Sequence, residues 1–145
     1  MWQYETTTVW RSGKEGRLHE AGKPEIAIAT PHEFGGPQNL WSPENLLTGA
    51  VGACLMTSTL HFLEKERVDL RSYMSNTKGT MQKTREGLAF TSIDVEVSIT
   101  VGADDDVEKA QRAAEMAKQS CPVSKAMKCP VNVNPRVNVH GTGEA

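Results

Sequence analysis

Apolar and polar positions alternate along this chain in short runs, interrupted twice by helical periodicity. In WQYETTTVW, Trp2, Tyr4, Thr6, Thr8 and Trp10 fall on one face of a strand, and SGKEG supplies the turn after it. A second strand is expected over residues 17–20 and a third over EIAIAT, before PHEFGGPQN, a Pro- and Gly-rich loop that helix or strand could hardly cross. Ser42 then opens a strong helix signal. Ser at the cap, Pro43 at the first helical position and Glu44 in the first turn suit the orphan amides and the positive end of the helix dipole. The pattern carries this helix to about residue 67, with Leu46, Leu47, Ala50, Val51, Cys54, Leu55, Leu60 and Leu63 apolar. Gly49, Gly52 and Ala53 would let another backbone approach closely, as in a core helix.

SYMSNTKGTMQKT and LAFTSIDVEVSITV, joined by REG, predict a long hairpin with Ile93, Val95, Val97 and Ile99 facing the core. A second helix follows, its first turn crowded by Asp104, Asp105 and Asp106 and its apolar stripe made by Val107, Ala110, Ala113, Ala114 and Ala117, up to Gln119. Pro122 breaks it. Cys121 and Pro122 can equally cap and begin a short new helix before VNVNPRVNVH returns to strand. Strands, a helix, a hairpin, helices and a last strand make one α+β domain over residues 1–145, by contrast with a βαβ alternation.

Composition narrows the setting. A chain of 145 residues, 38% hydrophobic and 23% charged, is of one-domain size and can bury a core without disulfide staples. Its net charge of -2 offers no basic field to nucleic acid or anionic membrane. MWQYETTTVW has no basic segment followed by an apolar one, and no uncharged apolar run of roughly 18 residues is evident for a membrane span. The expectation is a cytoplasmic protein with neither nucleic acid nor membrane as partner. Thiols stay reduced there, so three cysteines are a reactive pair, a metal site or plain core residues before they are a structural framework.

Each cysteine has two readings. Cys54 lies too deep in its helix for the dipole to reach it, and on spacing alone is a core residue. Cys121, at a helix start beside Lys125, is either a cap or a thiol biased towards thiolate. Cys129, before a strand proline, reads as a small buried hydrophobe. The C-x7-C spacing of Cys121 and Cys129, with no His in reach, argues against zinc. His61 follows Cys54 by seven residues, and two helical turns of roughly 10 Å are too far for a direct dyad. KEG and REG read as turns, DDD as a solvated helix start, and GGPQN has no phosphate-cradling glycine pattern.

GKEGRLHEAG, WSPENLLTGAVGACLMT and SCPVSKAM, in that order, resemble the OsmC/Ohr superfamily of osmotically inducible and organic-hydroperoxide-resistance proteins over nearly the whole chain. CPVSKA is similar to the second-cysteine motif of the OsmC-like branch, whereas Ohr-type sequences usually carry an aromatic after the proline. The family's N-P-E-x-L helix start is SPENLL here, with a cap-competent Ser42 in place of Asn. The resemblance implies an α+β fold of curved antiparallel sheets around central helices, forming an intertwined homodimer. It implies Cys54 as the peroxidatic cysteine, Cys121 as the resolving cysteine, Arg17 as the guanidinium that stabilises the thiolate and Glu44 as the carboxylate that orients it. Cys129 receives no role.

The implied activity is reduction of organic hydroperoxides to alcohols through a Cys54 sulfenate and a Cys54–Cys121 disulfide, reopened by an external dithiol such as a lipoyl group, with no bound cofactor or metal. Residue chemistry suits these types: a mid-helix thiol in apolar surroundings needs a permanent cation to ionise, and a guanidinium can hold a carboxylate on one edge and sulfur on the other. Ala50, Val51, Leu55 and Met56 suit an organic peroxide. The rival readings are a non-catalytic stress-associated binding module and a thiol redox sensor. Glu44 and Cys54, ten residues apart, stand about 15 Å apart along an unbroken helix and on different faces. A composite site, with Arg17 and Glu44 from one subunit and both cysteines from the other, is therefore expected; a helix kink permitted by Gly49 and Gly52 is the alternative.

Overall fold

The computed structural model describes residues 1–141. Its elements run β1 (Thr7–Ser12), β2 (Glu15–His19), β3 (Ile26–Ala29), a 3-10 turn at His32–Phe34, α1 (Pro43–Lys65), β4 (Leu70–Thr84), β5 (Gly87–Val101), α2 (Asp106–Ser120), α3 (Pro122–Lys125) and β6 (Val131–Val139). The chain divides into two compact units, Met1–Leu47 and a second beginning at Thr48.

The first unit is an antiparallel sheet of order β1-β2-β3. Pairing starts at Thr7↔His19, so the residues before Thr7 have no β2 residue opposite them, and the strand is shorter than the WQYETTTVW alternation predicts. Trp2 and Tyr4 are left 86% and 93% exposed. At the entry to α1, the Ser42 hydroxyl accepts from the Asn45 amide at 3.1 Å while the Asn45 side-chain oxygen accepts from the Ser42 amide at 3.0 Å. Two orphan donors are satisfied reciprocally, a capping box with Asn in the usual Glu position.

In the second unit β4, β5 and β6 form one sheet in that order. Ile93, Val95, Val97, Ile99 and Val101 on β5 are all buried, as the alternation predicts, and pack with Val51, Leu55 and Leu63 of α1 and the alanine stripe of α2. Each such aliphatic side chain contributes roughly 1.5–3 kcal/mol on burial. Ala110, Ala113, Ala114 and Ala117 are small enough to bring α2 close to this core.

Three expectations need correction. The sheet is mixed, because β6 pairs with β5 in parallel from Ile93↔Val131 to Val101↔Val139, and β5–α2–α3–β6 is a βαβ unit. Parallel neighbours require a long crossover, which the stretch from Gly102 to Pro130 supplies, and strand periodicity carries no information about direction. The DDD run is not wholly solvated: Asp106 is buried and accepts the Asp69 amide at 3.1 Å, tying the start of β4 to α2. Finally, α1 is long and apolar enough to cross a membrane, with mean hydropathy 1.5 over its best window. Leu, Val, Ala, Cys, Met and Phe raise its hydropathy, and Val51, Leu55, Thr59 and Leu63 form its buried face in the core.

α1 ends where Arg67 takes a left-handed φ of 55°, its amide donating to the Glu64 carbonyl and that of Val68 to the Leu63 carbonyl. This is the Schellman closure, which satisfies the last carbonyls two residues after Lys65. Midway along the helix Gly52 faces β4, where an added Cβ would stand 2.5 Å from Thr77 Oγ1. Threonine is stiff at χ1, so this contact resists relief. Gly52→Ala should therefore destabilise by about 1–2 kcal/mol, although alanine normally favours a helix interior. In a Thr77→Ala background the same change should be neutral or stabilising in urea unfolding; equal costs in both backgrounds would mean that Thr77 is not what excludes the methyl group.

Candidate active site

Pro122 has no backbone N–H, so the first free donors of α3 are the N–H groups of Val123 and Ser124. Cys121 is the N-cap, and its Sγ accepts the Ser124 amide at 3.5 Å. The same residue closes α2, its own amide donating to the Ala117 carbonyl at 2.9 Å. Two helices thus meet at one cysteine, which is fully buried.

Cys54, half-buried on α1, packs against the same core cluster that contains Cys121, near enough for each thiol to shift the other's proton affinity. The two residues are 121 − 54 = 67 positions apart in sequence, and both are free thiols. Ser58, one turn further along α1, has its Oγ 4.0 Å from Cys54 Sγ.

The pair is electrostatically unequal. Burial pushes the Cys54 thiol up, the bond to Cys121 adds to this, and the Val123 amide and Ser58 only partly oppose it. At Cys121 burial acts in the same upward sense, yet the Cys54 thiol, the Ser124 side chain and the amides of Ser124 and Val123 together outweigh it and hold the group below the ordinary thiol range. Hydrogen bonding to the charged form is the deciding cause. Of the two thiols, Cys121 is therefore the one that ionises more readily.

Arg17 and Glu44 belong to the first unit. Arg17 sits on β2 with its Nε 3.9 Å from Glu25 Oε2 and one terminal nitrogen donating to the Gly16 carbonyl at 3.3 Å. Glu44 occupies the first turn of α1. Cys129 is half-buried against the core cluster. Among the described residues no group of three or more His, Cys, Asp or Glu side chains could hold a metal ion. Sequence reasoning missed Ser58, Ser124 and the Val123 amide. The spacing of Cys121 and Ser124, the same as that of a capping box, was the available signal.

The family model described as OsmC-like protein matches residues 36–136. An uncharacterized protein of Bacillus subtilis is 24% identical over 128 residues, covering 86% of this chain and 85% of that one. An organic hydroperoxide resistance protein-like 2 of Staphylococcus saprophyticus is 26% identical over 140 residues, covering 94% and 96%. Among solved structures, an OsmC-like protein of unknown function from Vibrio cholerae superposes with a TM-score of 0.85 at 16% identity, covering 94% of this chain and all of that one. An organic hydroperoxide resistance protein OsmC from Legionella pneumophila gives 0.69 at 22% identity, covering 96% and 100%. These likenesses establish the fold, and the family match, spanning α1, the β4–β5 hairpin and the α2–α3 junction, places the chain in the OsmC-like family of the OsmC/Ohr superfamily.

Proposed function

We propose that this protein is a cysteine-based peroxidase that reduces organic hydroperoxides to alcohols and is regenerated by an external dithiol. The observation that carries the reading is the pair of neighbouring free thiols, Cys54 and Cys121, whose proton affinities are shifted in opposite directions at the start of α3. Relatives named for organic hydroperoxide resistance support it.

Cys54, the more accessible sulfur, is the attacker. As the peroxide arrives, the Cys54 proton passes to the Cys121 thiolate and the Cys54 thiolate attacks the O–O bond. An S–O bond forms, the O–O bond breaks, and the departing alkoxide takes the proton back from Cys121 to leave as alcohol. Cys121, again a thiolate, attacks the sulfenic sulfur of Cys54; the disulfide forms and hydroxide leaves. A dithiol such as a lipoyl group then restores both thiols, at the cost of its own oxidation.

In this reading Arg17 supplies the cation that holds charge on Cys54, oriented by Glu44, both from the other subunit of a homodimer. Exposure of Trp10, Trp41 and Met56, at 72%, 56% and 36%, supports such a partner, as does an apolar α1 window only 28% buried within one chain. Exposed apolar surface of this kind is commonly an interface.

Cys54→Ser should abolish consumption of cumene hydroperoxide, whereas Cys121→Ser should react once and then stall or over-oxidise; steady turnover by the Cys54→Ser protein would sink the assignment. Mixing inactive Arg17→Ala with inactive Cys54→Ser protein should restore activity in heterodimers, and none after demonstrated subunit exchange would reject the composite site.

Titration tests the proton allocation. In a Cys129→Ser background, thiolate absorbance should rise in two steps flanking the ordinary cysteine value, and Cys54→Ala should move the lower, Cys121 step upward by removing its donor. Stability follows in sign: the share from Cys121 is full above the ordinary thiol range and lost as pH falls through its depressed value. That from Cys54 is full below the ordinary range and lost as pH rises through its elevated value. A lower step that Cys54→Ala leaves in place would refute the coupling of the two thiols.

A further inference from the structure

The Ser124 hydroxyl is buried and has no hydrogen-bond partner among the described residues. Buried hydroxyls are nearly always bonded, so one left open beside a reactive pair calls for a reason. The local cause is the double duty of Cys121. In a capping box the third helical side chain accepts from the N-cap amide, but here that amide is already committed to the Ala117 carbonyl at 2.9 Å. Ser124 is left with its amide on Cys121 Sγ at 3.5 Å and its hydroxyl idle nearby, close enough to favour charge on that sulfur yet outside bonding geometry.

The idle donor is explained by the oxidised state. In the dithiol, the Cys54 thiol and, less strongly, the Ser124 side chain both favour charge on the Cys121 sulfur. In a Cys54–Cys121 disulfide Cys54 has no proton to give, and the side-chain donor left beside Cys121 is Ser124. We infer that Ser124 is a positioning residue of the disulfide cycle, whose hydroxyl donates to Cys121 Sγ as that sulfur leaves the Cys54–Cys121 bond; this rests on the disulfide of the proposed function.

Access decides which sulfur leaves. Cys121 is fully buried and Cys54 is not, so one thiolate of an external dithiol attacks Cys54 Sγ. A reductant–Cys54 bond forms, the Cys54–Cys121 bond breaks, and the electron pair goes to Cys121. The second thiol of the reductant, after losing its proton, attacks the reductant's own sulfur and expels Cys54 as thiolate. Two electrons pass from the dithiol to the protein. The charge arriving on Cys121 cannot be solvated by water and must be met by the Val123 and Ser124 amides and the Ser124 hydroxyl. Lower basicity of the leaving sulfur speeds exchange.

The test uses full-length protein in a Cys129→Ser background, oxidised with diamide, the Cys54–Cys121 link being verified by non-reducing peptide mapping. Reduction by dithiothreitol is then timed in the parent, Ser124→Ala and Ser124→Thr proteins. Ser124→Ala should be reduced roughly tenfold more slowly, the scale of one hydrogen bond to a charged group. Ser124→Thr, which keeps the hydroxyl, should stay close to the parent rate. In the oxidised proteins, where Cys121 carries no charge, Ser124→Ala should melt no lower than the parent, because the hydroxyl has no bonding geometry to lose. Reduction of Ser124→Ala at the parent rate, or slowing that follows a lowered melting temperature in both variants, would overturn the role. Diamide needs no peroxide, so a parent that fails to consume cumene hydroperoxide removes the peroxidase reading while the Ser124 comparison stands; absence of any Cys54–Cys121 link removes both.

Discussion

A sulfur sealed from water can carry charge only where proton donors converge on it, and Cys121 depends on that convergence. Donors are available because a helix begins there: Pro122 contributes none, and the amides of Val123 and Ser124 are the first that α3 leaves unused. The helix begins there because α2 ends at the same residue. The arrangement compresses two helix termini into one side chain and leaves no room for the reciprocal bond that would occupy Ser124.

Holding Cys54 opposite this junction is the task of the core. β5 buries five aliphatic side chains against α1 and α2, and the lack of a side chain at Gly52 lets α1 lie close to Thr77 of β4, two residues from the thiol. Displacing α1 outward by the thickness of a methyl group would draw Cys54 away from its partner. The apolar packing and the polar chemistry are therefore coupled through one helix, and the unequal proton affinities of the two thiols are a product of that coupling.

Likeness to solved proteins at 16–22% identity shows how little of this architecture depends on particular side chains. Alternating aliphatic positions, a small-residue helix and a capped junction are composition-tolerant devices. The proposed chemistry is less tolerant, since it would rest on two sulfurs and a few donors whose placement allows little drift.

The sequence by itself determined what depends on neighbours in the chain. Ser42 and Pro43 announced the start of α1, the alternation from Ile93 to Ile99 announced a buried strand face, and Cys121-Pro122 announced a helix cap, because capping and periodicity are local physics. Tertiary structure decided the rest. β6 runs parallel to β5 because a helical crossover returns it, Asp106 is buried because it meets the Asp69 amide, and the first strand is short because β2 stops at His19. The proximity of Cys54 to Cys121, and the opposite shifts in their proton affinities, arise from packing between segments 67 residues apart, and no local pattern encodes such a contact.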